Sequence, residues 1–223
     1  MKLHILDNGY GAHIPFKDLF ESVRGIYEWD GGIKRGDVIM FDGGNDISPS
    51  LYGQGASLYC GGSDRARDKQ ETAVFLKGAE VGVKFLGVCR GSQLLCALSG
   101  GTVIQHVVGH GGNHLVETHD GRFVEVSSTH HQMMNPFATE HELLARATHE
   151  GRAGYGGMVY SGGLSRCHLG QDGEEVIMPC EPEAVWFPKT QALALQWHPE
   201  FMPMDSECVQ YSRELVKKYL LGE

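Results

Sequence analysis

Cys89 is the residue best placed to do chemistry. It sits in Phe85-Leu86-Gly87-Val88-Cys89-Arg90-Gly91-Ser92-Gln93-Leu94-Leu95, where an apolar run meets a cysteine between two glycines and continues in small and apolar residues. That is the layout of a nucleophile elbow: a buried strand, a tight strained turn, then a helix. Gly87 and Gly91 leave room for backbone packed closely on both sides of the turn. The strain lifts the thiol out at the carboxyl end of the strand, and the amide of Arg90, opening the helix, can point toward a developing oxyanion. The same setting favours the nucleophilic thiolate. On its own the segment also suits a buried cysteine at an ordinary strand–helix junction, so the remainder of the chain has to decide.

A cysteine nucleophile needs a general base, usually histidine, held by a third polar group. Leu193-Ala194-Leu195-Gln196-Trp197-His198-Pro199-Glu200 supplies both. The apolar run reads as a strand that Pro199 ends, because proline cannot continue the ladder. A carboxylate two residues beyond His198 can bend back to the imidazole, fix its tautomer and favour the imidazolium partner of a thiolate. Cys89, His198 and Glu200 are therefore the expected catalytic group.

Gly87-Val88-Cys89-Arg90-Gly91-Ser92-Gln93 together with Gln196-Trp197-His198-Pro199-Glu200 closely resembles the class I glutamine amidotransferases. Further matches are similar to the γ-glutamyl hydrolase branch, typified by γ-glutamyl-γ-aminobutyrate hydrolase. They are Asp42-Gly43-Gly44-Asn45-Asp46-Ile47-Ser48-Pro49 with Tyr52-Gly53, then Asp64, Arg67-Asp68 and Glu71. Gly100-Gly101-Thr102 with Gln105, and Ser128-Thr129-His130-His131-Gln132, complete the set in the family's order. The resemblance implies a flavodoxin-like three-layer α/β sandwich with a central, mostly parallel sheet. It implies a Cys-His-Glu triad acting through a γ-glutamyl thioester, and an oxyanion hole from the amides of Arg90 and Gly44. It also implies that Gln93, His130 and His131 contact the substrate. No cofactor, metal or nucleotide is required by that chemistry. The two enzymatic readings are a free-standing γ-glutamyl hydrolase and a glutaminase subunit that feeds ammonia to a separate synthetase. A non-catalytic interaction module is the third. The chain carries no P-loop, so a synthetase partner would be another polypeptide.

The elements that must position these residues read as alternating β and α segments. Strands are expected at Leu3–Leu6, Asp37–Asp42, Val83–Val88, Phe123–Ser127, Ala184–Phe187 and Leu193–Trp197. Helices are expected at Pro15–Arg24, Asp68–Val81, Ser92–Ser99 and Asp205–Leu221. Ligands of open α/β sheets bind outside the carboxyl ends of the strands, where Gly44, Cys89 and His198 all fall. No internal repeat or low-complexity linker interrupts the 223 residues, which reads as a single domain over 1–223.

Composition narrows the function class. A net charge of -9 without a basic cluster argues against a nucleic-acid partner. No apolar run reaches the roughly 18 residues of a membrane span. Met1–Asp7 lacks the long apolar core of a signal peptide and reads as a first strand. Six cysteines without C-x-x-C spacing suit a reducing cytoplasm, and Cys60, Cys96, Cys167, Cys180 and Cys208 read as structural thiols. Histidines at 106, 110, 114 and 119 lie close together, but Gly109, Gly111 and Gly112 break any helix that could align them, so they read as solvated loop residues. Two stretches depart from the family. The glycine-rich segment near 151–173 is longer than usual, which suits a lid, a partner surface or a loop excursion, and 109–123 is abbreviated. The acceptor, the physiological donor and the oligomeric state are not encoded in any motif.

Overall fold

The computed structural model describes residues 1–6, 9, 11–107, 109–148 and 178–223. The glycine-rich segment 151–173, with Cys167, lies outside them. Eleven strands occur among the described residues: β1 (Lys2–Leu6), β2 (Ser22–Gly25), β3 (Val38–Phe41), β4 (Lys84–Val88), β5 (Thr102–Ile104), β6 (His114–Thr118), β7 (Phe123–Val126), β8 (Met133–Asn135), β9 (Glu142–Ala147), β10 (Pro182–Phe187) and β11 (Ala192–Leu195). The helices are α1 (Arg65–Val81), α2 (Arg90–Leu98) and α3 (Glu207–Leu215), the last extended by a π-helical turn at Val216–Leu221.

Nine strands form one sheet in the order β2-β1-β3-β4-β11-β10-β9-β6-β7, while β5 and β8 pair separately. Strands β2, β1, β3, β4 and β11 run parallel. The remaining four extend the sheet antiparallel. Alternation along the central strands shows why both faces are covered. In β3, Val38 and Met40 pack in one apolar cluster and Ile39 and Phe41 in the other. In β11, Leu193 and Leu195 face the first cluster, Ala192 and Ala194 the second. Successive side chains of a strand point to opposite faces, so an unbroken apolar run demands a layer on each side. Cys208, Tyr211 and Leu215 of α3 close one face; Val74 and Phe75 of α1 with Leu94 and Leu95 of α2 close the other. Each such side chain contributes about 1.5–3 kcal/mol when fully removed from water. The result is the three-layer sandwich with helices flanking a central sheet.

Local signals explain the boundaries. Asp64 caps α1 by accepting from the amides of Ala66 (3.0 Å) and Arg67 (3.1 Å), so the helix starts three residues before the expected Asp68. The expected helix over Pro15–Arg24 is a correction: only Ile14–Leu19 winds, as a 3-10 turn, and Ser22–Gly25 becomes the edge strand β2. Val23 and Arg24 gain a full ladder against Leu3 and His4 of β1, and tertiary pairing outweighs a weak helical preference.

Candidate active site

Three adjacent strands end at one place. Gly44 follows β3, Cys89 follows β4 and His198 lies just beyond β11. Cys89 takes φ 52° and ψ -110°, a conformation strained for a residue with a side chain, between the last strand residue and the first turn of α2. Its amide is fixed by Leu195 O (2.8 Å), and its carbonyl accepts from the amides of Ser92 (3.0 Å) and Gln93 (3.2 Å). Gly91 is dictated by the close approach of α2 to β3, since a Cβ there would lie 2.1 Å from Phe41 O.

His198 Nδ1 lies 2.7 Å from Glu200 Oε1, and both side chains are buried. The strand ends at Leu195, and Pro199–Phe201 forms a 3-10 turn that folds the carboxylate back onto the ring two residues earlier. Phe201 stacks on the imidazole with centroids 4.5 Å apart, and the carbonyl of His198 accepts from Ser127 Oγ. Burial is the largest single influence on His198 and pulls its pKa down. Hydrogen bonding and charge from Cys89 and Glu200 together outweigh it and hold the imidazole at about 10. Nε2 makes no hydrogen bond of ordinary geometry, yet the thiol is near enough to bias the ring's charge, and of the two contacts the electrostatic one defines the pair. The arrangement suits an imidazolium held beside the Cys89 sulfur.

The glycine turn after β3 has its own support. The amide of Gly43 donates to Asp42 Oδ1 (2.8 Å) and is committed. Gly44 has φ 139°, and a Cβ there would meet Arg67 Nη1 at 2.4 Å. Arg67 Nη2 in turn donates to Asp42 O (2.9 Å), while its Nε donates to Glu71 (2.8 Å). Arg90 is buried and pairs with Asp68 at 2.6 Å and with Glu71. Asp68 also accepts from the amide of Ser48 (2.9 Å). One buried ion network therefore ties α1 to the glycine turn and to the start of α2.

A cleft of about 170 Å³ is lined by Gly44, Asn45, Asp46, Cys89, Gln93 and His198 on one side and by Thr129–Gln132 and Phe201 on the other. All the sequence-derived site residues except Glu200 and Arg90 line it directly; those two lie behind His198 and Cys89. Gln93 Nε2 donates to Gln132 O (3.1 Å) and joins α2 to the facing loop. His131 Nε2 lies 3.1 Å from Asp46 Oδ1, and that hydrogen bond raises the imidazole pKa against the effect of burial. Asp46, Thr129 and Phe201 carry no signal of their own in the sequence, although Asp46 and Thr129 lie inside motifs that did.

The histidines at 106–119 do not behave alike. His119 is exposed and His106 half-buried against Tyr59. His110 and His114 are buried, with 1% and 2% of their surface exposed, which corrects their reading as solvated loop residues. They gather with His130 around the buried carboxylate of Glu183. His130, whose backbone neighbours line the cleft, is pulled down to about 4 chiefly by burial, with Glu183 acting against that effect. The signal that could have found this cluster is Glu183 itself, a charged residue in an otherwise apolar strand.

The Peptidase C26 family model matches residues 28–133. A relative named glutamine amidotransferase-like protein YvdE, from Lactococcus lactis subsp. lactis, is 30% identical over 169 residues, 74% of this chain and 66% of that protein. A YvdE homolog from Lactococcus lactis subsp. cremoris is 44% identical over 69 residues, 31% of this chain and 37% of its own length. The matched segments thus span less than two thirds of either relative. A structure from Thermoplasma acidophilum, described as a GMP synthase subunit, is 14% identical with a TM-score of 0.60, over 99% of this chain and 92% of that one, a likeness of fold. With the elbow, the acid–histidine pair and the sheet order in place, the chain belongs to the class I glutamine amidotransferase-like superfamily.

Proposed function

We propose that the chain hydrolyses a γ-glutamyl amide, glutamine or a γ-glutamyl amine, through a thioester on Cys89. The observation that carries this reading is the strained Cys89 beside His198, with Glu200 2.7 Å behind the ring. In the proposed sequence the Cys89 thiolate attacks the γ-carbonyl carbon, forming the C–S bond. The amides of Arg90 and Gly44 hold the oxyanion. His198 gives its proton to the departing nitrogen as the C–N bond breaks. It then takes a proton from water, which attacks the thioester and releases glutamate and the thiolate. Glu200 keeps the Nδ1 proton in place throughout and steadies the imidazolium. Gln93, His130 and His131 belong to the wall that would hold the glutamyl head group. Asp46 beside His131 offers a negative charge suited to the α-ammonium group.

The superfamily supports amide hydrolysis of glutamine type in general; the donor and the thioester route are this reading's own. A second reading, in which the chain supplies ammonia to a separate synthetase, is favoured by the fold likeness to a protein named as a synthase component. Five described cysteines are free and no described helix is long and apolar enough to cross a membrane, so we place the chain in a reducing compartment, the cytoplasm. The test is direct. Pure protein is incubated with glutamine and a panel of γ-glutamyl amines, and release of glutamate and amine is measured. Turnover of at least one donor by the isolated chain is expected. Inertness toward every donor, with Cys89 still labelled by a glutamine-analogue electrophile, would favour the partner-dependent reading.

A further inference from the structure

Glu183 is an unusual residue to find at the centre of a sheet. Strand β10 changes register against β9 between Pro182, opposite Arg146, and Ala184, opposite Ala145. The shift is undone at once, since Val185 pairs with Leu143, so the ladder is irregular on both sides of Ala184 without a net insertion. Glu183 lies in that irregular stretch, and its carboxylate is fully buried. Here the carboxylate meets three imidazoles. His110 Nδ1 and His114 Nε2 each lie 3.1 Å from Glu183 Oε1, and His130 Nε2 lies 3.6 Å from it. Donor atoms of His110, His130 and Glu183 all fall within 4.8 Å of one another.

The outward side of each group is equally defined. His130 Nδ1 faces Gln132 O at 2.8 Å. A carbonyl only accepts, so Nδ1 carries a proton, and in the neutral ring the Nε2 lone pair faces the carboxylate. Buried charges are paired or coordinate a metal ion, and a cation between the carboxylate and Nε2 would satisfy both. His110 Nε2 lies 3.5 Å from Glu181 Oε2. His114 fixes Glu183 from the side, with its Nδ1 3.3 Å from Gly112 O. Among the described residues, neither His130 Nε2 nor Glu183 Oε2 makes a hydrogen bond. A ligand imidazole whose far nitrogen donates to a carbonyl, as in His130, and one with a carboxylate close to its far nitrogen, as in His110, have the supporting groups that metal sites use. Ligands about 2.0–2.1 Å from a tetrahedral zinc ion lie roughly 3.3–3.4 Å apart, between the two nitrogen–oxygen distances found here.

We propose that His110 Nδ1, His130 Nε2 and the Glu183 carboxylate bind one divalent transition-metal ion, zinc by its donor set, with His114 and Glu181 positioning the ligands. Two imidazoles and one carboxylate satisfy zinc's preference for borderline nitrogen and oxygen donors, with water taking the fourth tetrahedral position. The ion would lie behind the cleft wall and take no part in the chemistry at Cys89. It would fasten β10 to the loop holding His110 and to residues 128–132, four of which, Thr129, His130, His131 and Gln132, line the cleft with Cys89. The proposal does not depend on the assigned reaction.

The test uses the full chain without a histidine tag, stripped with a chelator and titrated with Zn²⁺. Calorimetry and elemental analysis should give about one ion per chain. The same stoichiometry should appear in Cys89→Ala, which removes the alternative site at the catalytic thiol. The melting temperature should rise by about 5–10 °C at a hundredfold excess over Kd. Glu183→Gln and His130→Gln should weaken binding by at least about a hundredfold. Co²⁺ should give visible bands of a nitrogen–oxygen site without the near-ultraviolet band of a thiolate ligand. Anomalous scattering from crystals of the zinc-loaded protein should peak among the three ligands, a readout that stands even where the variants fail to fold. No bound ion, binding unchanged in both variants, a thiolate band, or an anomalous peak elsewhere would each overturn the proposal.

Discussion

Replacing Glu200 by glutamine changes charge while nearly preserving shape. The carboxylate lies 2.7 Å from His198 Nδ1 with both side chains buried, and it is one of the two groups that hold the imidazole at about 10 against a strong opposing effect of burial. An opposite charge this close moves a titration by roughly 1–3 units, at about 1.4 kcal/mol each. In Glu200→Gln the amide oxygen still accepts the Nδ1 proton, so orientation survives and only the negative charge disappears. The direction follows from the sign: Glu200 favours the protonated ring, so its neutral replacement lowers the His198 pKa. The basic limb of the activity profile, which reports loss of the imidazolium proton, should move down by about 1–3 units. The constant for forming the thiolate–imidazolium pair falls by the same factor. The rate follows only once the pair ceases to dominate, so kcat/KM at neutral pH should drop by roughly 10–100-fold rather than vanish. The assay is kcat/KM from pH 5 to 11. A readout independent of the donor is the rate at which iodoacetamide alkylates Cys89, resolved by peptide mass spectrometry. Superimposable profiles for variant and wild type in both measurements would refute the assignment of Glu200.

Cys89→Ala should lose all turnover with an unchanged melting temperature, and 6-diazo-5-oxo-norleucine should label Cys89 in the wild type; labelling mainly at Cys60 or Cys180 would move the nucleophile elsewhere. Arg90→Met leaves Asp68 and Glu71 buried without their shared partner, which should cost about 3–5 kcal/mol in urea unfolding; a loss below about 1 kcal/mol would show that the network adds little. Gly91→Ala drives a methyl group to 2.1 Å from Phe41 O, and the overpacking should remove about 1–3 kcal/mol or more, with wild-type stability disproving the tight contact. Asp46→Asn should raise KM about tenfold with little change in kcat, the loss of one charge-assisted contact; a pure kcat effect would place Asp46 in the chemistry instead.

The parts of the fold that were legible in the sequence are those where a local pattern and the tertiary structure agree. Val38–Phe41 and Ala192–Leu195 are short, wholly apolar runs, and both became strands buried on two faces. The elbow was legible because its glycines are steric necessities, and a contact of 2.1 Å at Gly91 leaves no other residue type. The helix expected over Pro15–Arg24 failed for the converse reason. Nothing local in Ser22–Gly25 favours a strand, and its ladder exists only because β1 offers an open edge. Strands β5, β8 and β9 have no local signature likewise, since each pairs with a partner distant in sequence.

The candidate site divides along the same line. Cys89, His198 and Glu200 sit in two compact motifs, and within each the relevant contacts are one or two residues apart, so spacing alone could place them. The buried cluster behind the cleft wall has no such spacing. His110, His114, His130, Glu181 and Glu183 come from the 109–113 loop, β6, the loop after β7 and the start of β10. Their meeting depends on the antiparallel order β10-β9-β6-β7, with β10 irregularly paired to β9 around Ala184. Histidines at four-residue intervals therefore say little about which of them meet. The sequence feature with physical content is a glutamate between Pro182 and Ala184-Val185. A charge placed there by a strand must find compensation in the interior, from a protonated imidazole or a bound cation.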